Sequence, residues 1–292
     1  MSSLVIAILS GLGAMVGWGM ADFFAKKTID VIGDVTTLFW SQAIGVLPLV
    51  GLFFFRSHVP VLHHFDPLFI VLFGIVSGLS YLPLYAGFGK GQVSLLSPIF
   101  ASYAAVVAVL SGVFFGEVMS GLRIIAIVVV FAGVLLMSTD LKDLRKFFKK
   151  RNKKIDGLRD VLSGMIVYSF WLVLFDHFIN GKDWIPFLLA IRICGASSIY
   201  IYAKIRHQSL RIKIPALWKF LIMIGLFDVF AFSSLSYGFS HTHLTSVVAV
   251  LGATFSLPTV LLARVFLREK VSTAQYAAIG VILAGVALVS LS

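Results

Sequence analysis

The sequence is short of charge and nearly devoid of cysteine. Only 13% of its 292 residues are Asp, Glu, Lys or Arg, about half the share found in an ordinary soluble domain. A soluble chain of this size could not cover its core with so few ionised groups. Acidic residues are the scarcer sign, 13 against 24 Lys and Arg. The single cysteine, Cys194, lies in an apolar run, so no internal disulfide can form and cysteine says nothing about redox compartment. Catalytic signatures are missing as well. There is no Gly-rich Walker loop, which disfavours ATP-driven pumping by this chain alone. There is no His-Glu-x-x-His zinc motif and no Gly-x-Ser-x-Gly elbow. The histidine spacings match no definite ligand pattern. No catalytic residue, metal or cofactor is expected.

What the sequence has is apolar length. Hydrophobic residues make up 59% of it, and the mean hydropathy is +1.01. A helix crossing the hydrocarbon core needs about 20 apolar residues. Apolar runs fall at 2–25, 35–55, 67–88, 93–115, 122–139, 159–178, 184–203, 216–238, 244–266 and 274–291. In lipid the backbone must bond within each segment, so each run predicts a helix. The first run is not read as a cleaved signal, because it lacks a basic n-region and Trp18, Asp22, Lys26 and Lys27 stand where a small-residue cleavage site belongs. The expected fold class is an all-α polytopic membrane protein with ten transmembrane helices. Pro98 and Pro258 are expected to kink spans four and nine.

The longest polar stretch, Asp140 to Asp160, divides five spans from five. Around Leu141, Leu144, Phe147 and Phe148 it reads either as a basic amphipathic turn on anionic headgroups or as a solvated linker. The two halves repeat one another. A shift of 152 positions aligns Tyr85 with Tyr237, Phe114 with Phe266, Glu117 with Glu269, Ser120 with Ser272 and Gly133 with Gly285. Five spans per half send the second copy into the membrane from the opposite side, an inverted repeat of the kind found in secondary transporters. The organisation is thus residues 1–140 as the first five-helix repeat, 141–157 as the basic linker and 158–292 as the second repeat.

The order of spans, Phe114-x-x-Glu117 after span four, Phe266-x-x-Glu269 after span nine, and the following Gly133 and Gly285 resemble EamA-type members of the drug/metabolite transporter superfamily. The resemblance implies a ten-helix carrier of small metabolites with a central cavity between the halves. The family often has an Arg in the second span of each half. Arg192 fits that place in the second half, whereas Trp40 occupies it in the first. The expected activity is secondary transport of a small organic solute by alternating access, in a prokaryotic inner membrane, by a monomer or homodimer. An intramembrane enzyme on a lipid-soluble substrate, and a non-transporting scaffold or receptor, are the other classes.

The positive excess reads as topology. Of the 24 Lys and Arg residues, all but Arg56, Arg123, Lys182 and the intramembrane Arg192 follow odd-numbered spans or lie in the linker. By the positive-inside rule that face is cytoplasmic and both termini lie outside. The resemblance implies cytoplasmic termini instead, and the count is preferred. A nucleic-acid partner is not expected.

Ionisable groups inside spans are functional candidates by default. Arg192 and Asp228 lie near the middle of spans seven and eight, adjacent in an antiparallel hairpin. They read either as a structural ion pair or as a cavity pair, with Arg192 attracting a carboxylate and Asp228 an ammonium group or proton, as for a zwitterionic, amino-acid-like solute. Tyr81 and Tyr85 share a helix face, and their repeat mates are Ser233 and Tyr237. Gln42 and Trp171 complete the substrate-binding candidates, with Ser97, Tyr103 and Thr254 as weaker ones. Asp228 and Asp22 are the coupling-ion candidates. Asp22, four residues before Lys26, is read first as its interfacial ion-pair partner. Gly11, Gly13, Gly17 and Gly19 are expected to let helices pack closely.

Overall fold

Helices form where apolar runs predict them, because nothing else satisfies the backbone in lipid. A computed structural model describes residues 2–55, 67–91, 93–116, 120–137, 156–267 and 273–290. Its helices are α1 (Ser3–Ile32), α2 (Asp34–Phe54), α3 (Pro67–Lys90), α4 (Val93–Ala101), α5 (Tyr103–Phe115), α6 (Gly121–Met137), α7 (Leu158–Ile179), α8 (Trp184–Ile205), α9 (Trp218–His241), α10 (Thr245–Ala253), α11 (Ser256–Leu267) and α12 (Thr273–Ser290). With α4–α5 and α10–α11 each counted as one span, they make ten. Seven spans are long and apolar enough to cross a bilayer by length and composition. The other three hold the shorter apolar stretches Ile99–Phe114, Ile124–Gly133 and Tyr276–Gly285. Among the described residues there is no strand.

Local chemistry sets several ends. The Ser2 hydroxyl accepts from the Val5 amide at the start of α1, and the Asp183 carboxylate from the Ile185 amide at the start of α8. Gly33, with φ +84°, closes α1 in a conformation that a Cβ would strain and lets α2 begin at once. The first helix therefore runs to Ile32, seven residues beyond its predicted end, and Asp22 and Lys26 lie within it.

Spans four and nine are broken, though not at the prolines themselves. The interruptions fall at Ser102 and at Thr254–Phe255, and Ser102 and Thr254 are 152 positions apart. Each amide turns back three residues, Ser102 to the Ile99 carbonyl and Thr254 to that of Leu251. Pro258 cannot donate to the Thr254 carbonyl four residues earlier, and the Leu257 amide takes it instead at 2.9 Å. Pro98 stands four residues before its break. Expectation and structure differ in that the break obeys the repeat, whereas the prolines flank it on opposite sides.

Packing follows an approximate two-fold. α1 lies along α9 and against α10 and α11, while its counterpart α7 lies along α3 and against α4 and α5. α2 and α8 flank this centre, and α6 pairs with α12. In that last pair a Cβ on Gly133 would sit 2.9 Å from the Ile282 amide nitrogen, and one on Gly285 would sit 2.8 Å from that of Val130. Ile282 is itself the repeat mate of Val130. Only glycine permits either approach.

Chain direction places the α1, α3 and α8 C-termini and the α7 N-terminus on one face, the linker face. The Lys90–Asp160 ion pair, 2.7 Å long, joins α3 to α7 there. The basic linker expected at 141–157 lies outside the described residues apart from Asp156 and Gly157, as do Glu117 and Glu269.

Candidate functional site

The centre is built from one cation and the rings around it. α8 brings Arg192 inward between α2 and α9. Its Nη1 donates to Asp228 Oδ2 at 2.6 Å and also to Gln42 Oε1. The guanidinium carbon stands 4.7 Å from the centroid of Phe232, one turn beyond Asp228 on α9. Both charged residues are buried. Such a pair is tolerable in low dielectric only with good geometry and further hydrogen bonds, which Gln42 supplies in part. Arg192 Nη2 is buried without a partner among the described residues.

Phe232 is also the contact point for three further rings. Trp18 of α1 meets it edge-on at 5.2 Å, Tyr81 of α3 at 6.2 Å and Trp171 of α7 at 6.2 Å. Tyr168 packs between Tyr81 (5.5 Å), Tyr103 (5.1 Å) and Phe100 (5.4 Å). Tyr103 follows the break in span four and directs its hydroxyl at the Ala249 carbonyl of span nine. A further polar atom of this enclosure, Trp18 Nε1, is buried without a partner among the described residues, whereas the Tyr168 hydroxyl lies within hydrogen-bonding reach of Tyr81. Buried polar atoms ordinarily find partners. Arg192 Nη2 and Trp18 Nε1, both on residues that pack against the Phe232 ring, are the unmet ones here.

The predicted residues divide. Arg192, Asp228, Gln42 and Tyr81 come together at Phe232. Tyr85 is buried within electrostatic reach of Arg192, Asp228 and Asp22. Trp171 is buried, but its Nε1 donates to the Phe73 carbonyl at 3.1 Å, so its polar handle is taken by backbone. Ser233 is half-buried beside Phe232 on α9. Tyr237 is elsewhere: it is exposed and stacked on His241 at 4.1 Å. The repeat maps Tyr85 onto Tyr237 in sequence without giving both the same surroundings.

Asp22 requires a correction. Lys26 pairs with Asp30 at 2.7 Å, not with Asp22. Asp22 turns inward, is buried, and accepts a 3.3 Å hydrogen bond from Ser97 of α4. The reason is reach: α1 continues past Lys26, which leaves Lys26 free to use the next carboxylate along while Asp22 faces the broken span. Trp40, standing where the family often has an Arg, donates its Nε1 to the Leu210 carbonyl in the loop beneath α2.

Sequence reasoning missed Trp18, Tyr168 and Phe232. Helical spacing held the signal, since Trp18 is four residues before Asp22, Tyr168 three before Trp171 and Phe232 four after Asp228.

A ten-span helical fold in two inverted halves, closing on a buried cation within a ring of aromatics, defines a polytopic membrane protein. The EamA-like transporter family matches residues 5–139 and 160–291, and the chain belongs to that family, whose members are generally membrane transporters of the drug/metabolite transporter superfamily rather than enzymes. No curated protein matches. Among 29 matching chains of solved structures, one titled only "Crystal structure of protein" aligns with a TM-score of 0.79 at 14% identity, covering 98% of this chain and 96% of its own. That likeness shows the fold alone.

Proposed function

We propose that the chain is a secondary transporter that moves a small zwitterionic or otherwise carboxylate-bearing organic solute by alternating access. The observation that carries this reading is the Arg192 guanidinium, fixed by Gln42 and Asp228 inside an aromatic enclosure with Nη2 unpartnered among the described residues. An Arg fork suits a carboxylate, Asp228 suits an ammonium group or a coupled proton, and Trp18, Tyr81 and Tyr168 suit a partly apolar body. Asp22, close enough to Asp228 to interact with it electrostatically, is the second coupling candidate.

The test is flux through reconstituted protein, in both directions, with a metabolite pool that includes amino acids and with imposed proton gradients. Saturable flux of a carboxylate-bearing solute is expected, lost on Arg192→Met and on Asp228→Asn. Restored flux in the double neutral variant would move the pair to a structural role. Turnover of a lipid without any solute flux would replace transport with the enzyme reading.

The charge count further supports a linker that faces the cytoplasm and lies on anionic headgroups, in a prokaryotic inner membrane, with the transport unit complete as a monomer or paired as a homodimer. A reporter fused after Ser292 should be active only outside the cytoplasm. Cytoplasmic activity would reverse the orientation.

A further inference from the structure

α1 belongs to the first half by sequence but packs on α9, α10 and α11 of the second. α7 belongs to the second half and packs on α3, α4 and α5 of the first. The core is therefore two interlocked groups, and each repeat is divided between them. Where the groups meet, the same two bonds occur twice. On α1, Asp22 accepts from Ser97 of α4 at 3.3 Å, and Lys26 Nζ donates to the Phe88 carbonyl of α3 at 3.1 Å. On α7, Asp176 accepts from Thr245 of α10 at 2.5 Å, and Asn180 Nδ2 donates to the Phe239 carbonyl of α9 at 3.0 Å.

The two sets occupy corresponding places on matching helices, at offsets close to the 152-position repeat without equalling it. Asp22 and Asp176 differ by 154 positions, as do Lys26 and Asn180. Phe88 and Phe239 differ by 151, which is also the offset between the ends of α3 and α9 and one short of the repeat shift. Ser97 and Thr245 both lie on the first segment of a broken span, displaced by about one helical turn relative to the repeat. Both carboxylates are buried. Because α1 runs toward the linker face and α7 away from it, the two sets lie on opposite sides of the membrane centre.

We propose that these are paired gate latches. Asp22–Ser97, with Lys26–Phe88, closes the seam between the two groups on the linker side. Asp176–Thr245, with Asn180–Phe239, closes it on the other side. The described structure has both closed, which is an occluded state with Arg192 and its rings shut between them. Opening one latch while the other holds exposes the centre to one face. An inverted repeat supplies two such states of similar energy, because each is the other turned over. This rests on the transporter reading, but its test needs no solute.

The probe is a single cysteine at the buried Ser41 beside Gln42, in a full-length Cys194→Ser background, labelled in vesicles of either orientation with a membrane-impermeant methanethiosulfonate cation. Loss of one hydrogen bond of ordinary worth raises an open population about tenfold. Asp22→Ala should raise the labelling rate by about that factor from the linker face only, and Asp176→Ala from the opposite face only. Ser97→Ala and Thr245→Ala break the same bonds from their other ends with little change in volume, and should reproduce the two patterns if a carboxylate variant fails to fold. Asp22→Asn, which can still accept from Ser97, should label at the parent rate. A rise on the same face from both latches, or no rise from the Ser97 and Thr245 variants, overturns the assignment. One-sided latches in a protein that moves no solute would refute transport and leave the latches standing.

Discussion

Arg192 and Asp228 meet with Nη1 2.6 Å from Oδ2, both side chains almost wholly buried and on adjacent antiparallel helices. Breaking such a pair leaves one uncompensated charge in low dielectric, at a cost of about 3–5 kcal/mol, whereas replacing both partners with apolar groups of similar volume is often neutral. Asp228→Asn is therefore expected to lower the unfolding temperature of detergent-solubilised protein more than Arg192→Met with Asp228→Leu does. Arg192→Lys should resemble a loss, because a point charge cannot serve Gln42, Asp228 and the Phe232 face together. A double variant less stable than both singles would show that the pair adds net stability.

Two buried tryptophans should respond oppositely to replacement by Phe. Trp171 donates its Nε1 to the Phe73 carbonyl, so Trp171→Phe removes one buried hydrogen bond and should cost about 1 kcal/mol while leaving solute affinity nearly unchanged. Trp18 Nε1 has no partner among the described residues, so Trp18→Phe removes an unmet donor and should be neutral or stabilising. If that donor serves the solute, affinity falls. Thermal melts and solute binding on the two variants separate these outcomes, and equal stability losses would contradict the difference in bonding.

Chain architecture was legible because its signals are long. Apolar runs of helix length and a repeat at 152 positions give the spans, the inversion and the Arg192–Asp228 neighbourhood without coordinates. What was not legible depends on where a helix points or ends. Asp22 read as a partner of Lys26 because i,i+4 spacing cannot tell Asp22 from Asp30 when α1 runs on to Ile32. Tyr237 read as equivalent to Tyr85, yet packing turns one to the surface and the other to the centre. Trp18 and Phe232 looked like ordinary apolar residues, since ring chemistry becomes a site only when four helices converge.

Trp40 should act as an anchor, not as a binding residue. Its Nε1 donates to the Leu210 carbonyl at 2.8 Å, and Thr36 of the same helix donates to the Ser209 carbonyl. Its ring also meets Trp218 edge-on at 4.7 Å. Trp40→Phe removes one bond of about 1 kcal/mol from the loop between α8 and α9. Faster backbone hydrogen exchange confined to residues near 206–214, with transport unchanged, is the expected result. A loss of solute affinity without a change in exchange would place Trp40 in the site instead.

The α6–α12 contact offers a direct reading of the two-fold. A Cβ on Gly133 would lie 2.7 Å from Ile282 Cγ1, and one on Gly285 would lie 2.6 Å from Val130 Cγ2, with backbone nitrogen close behind in both cases. Enlarging either glycine must push the same two helices apart. Gly133→Leu and Gly285→Leu are each expected to destabilise by about 1–3 kcal/mol, the usual range for overpacking. The penalties should match, because the surroundings are related by the repeat. They should also fail to add: once one leucine has separated the helices, the second enters a gap already open. Unfolding of the two singles and the double in detergent measures both points. Unequal singles would deny the two-fold at this contact, and a fully additive double would mean that each glycine is accommodated locally instead of by helix separation.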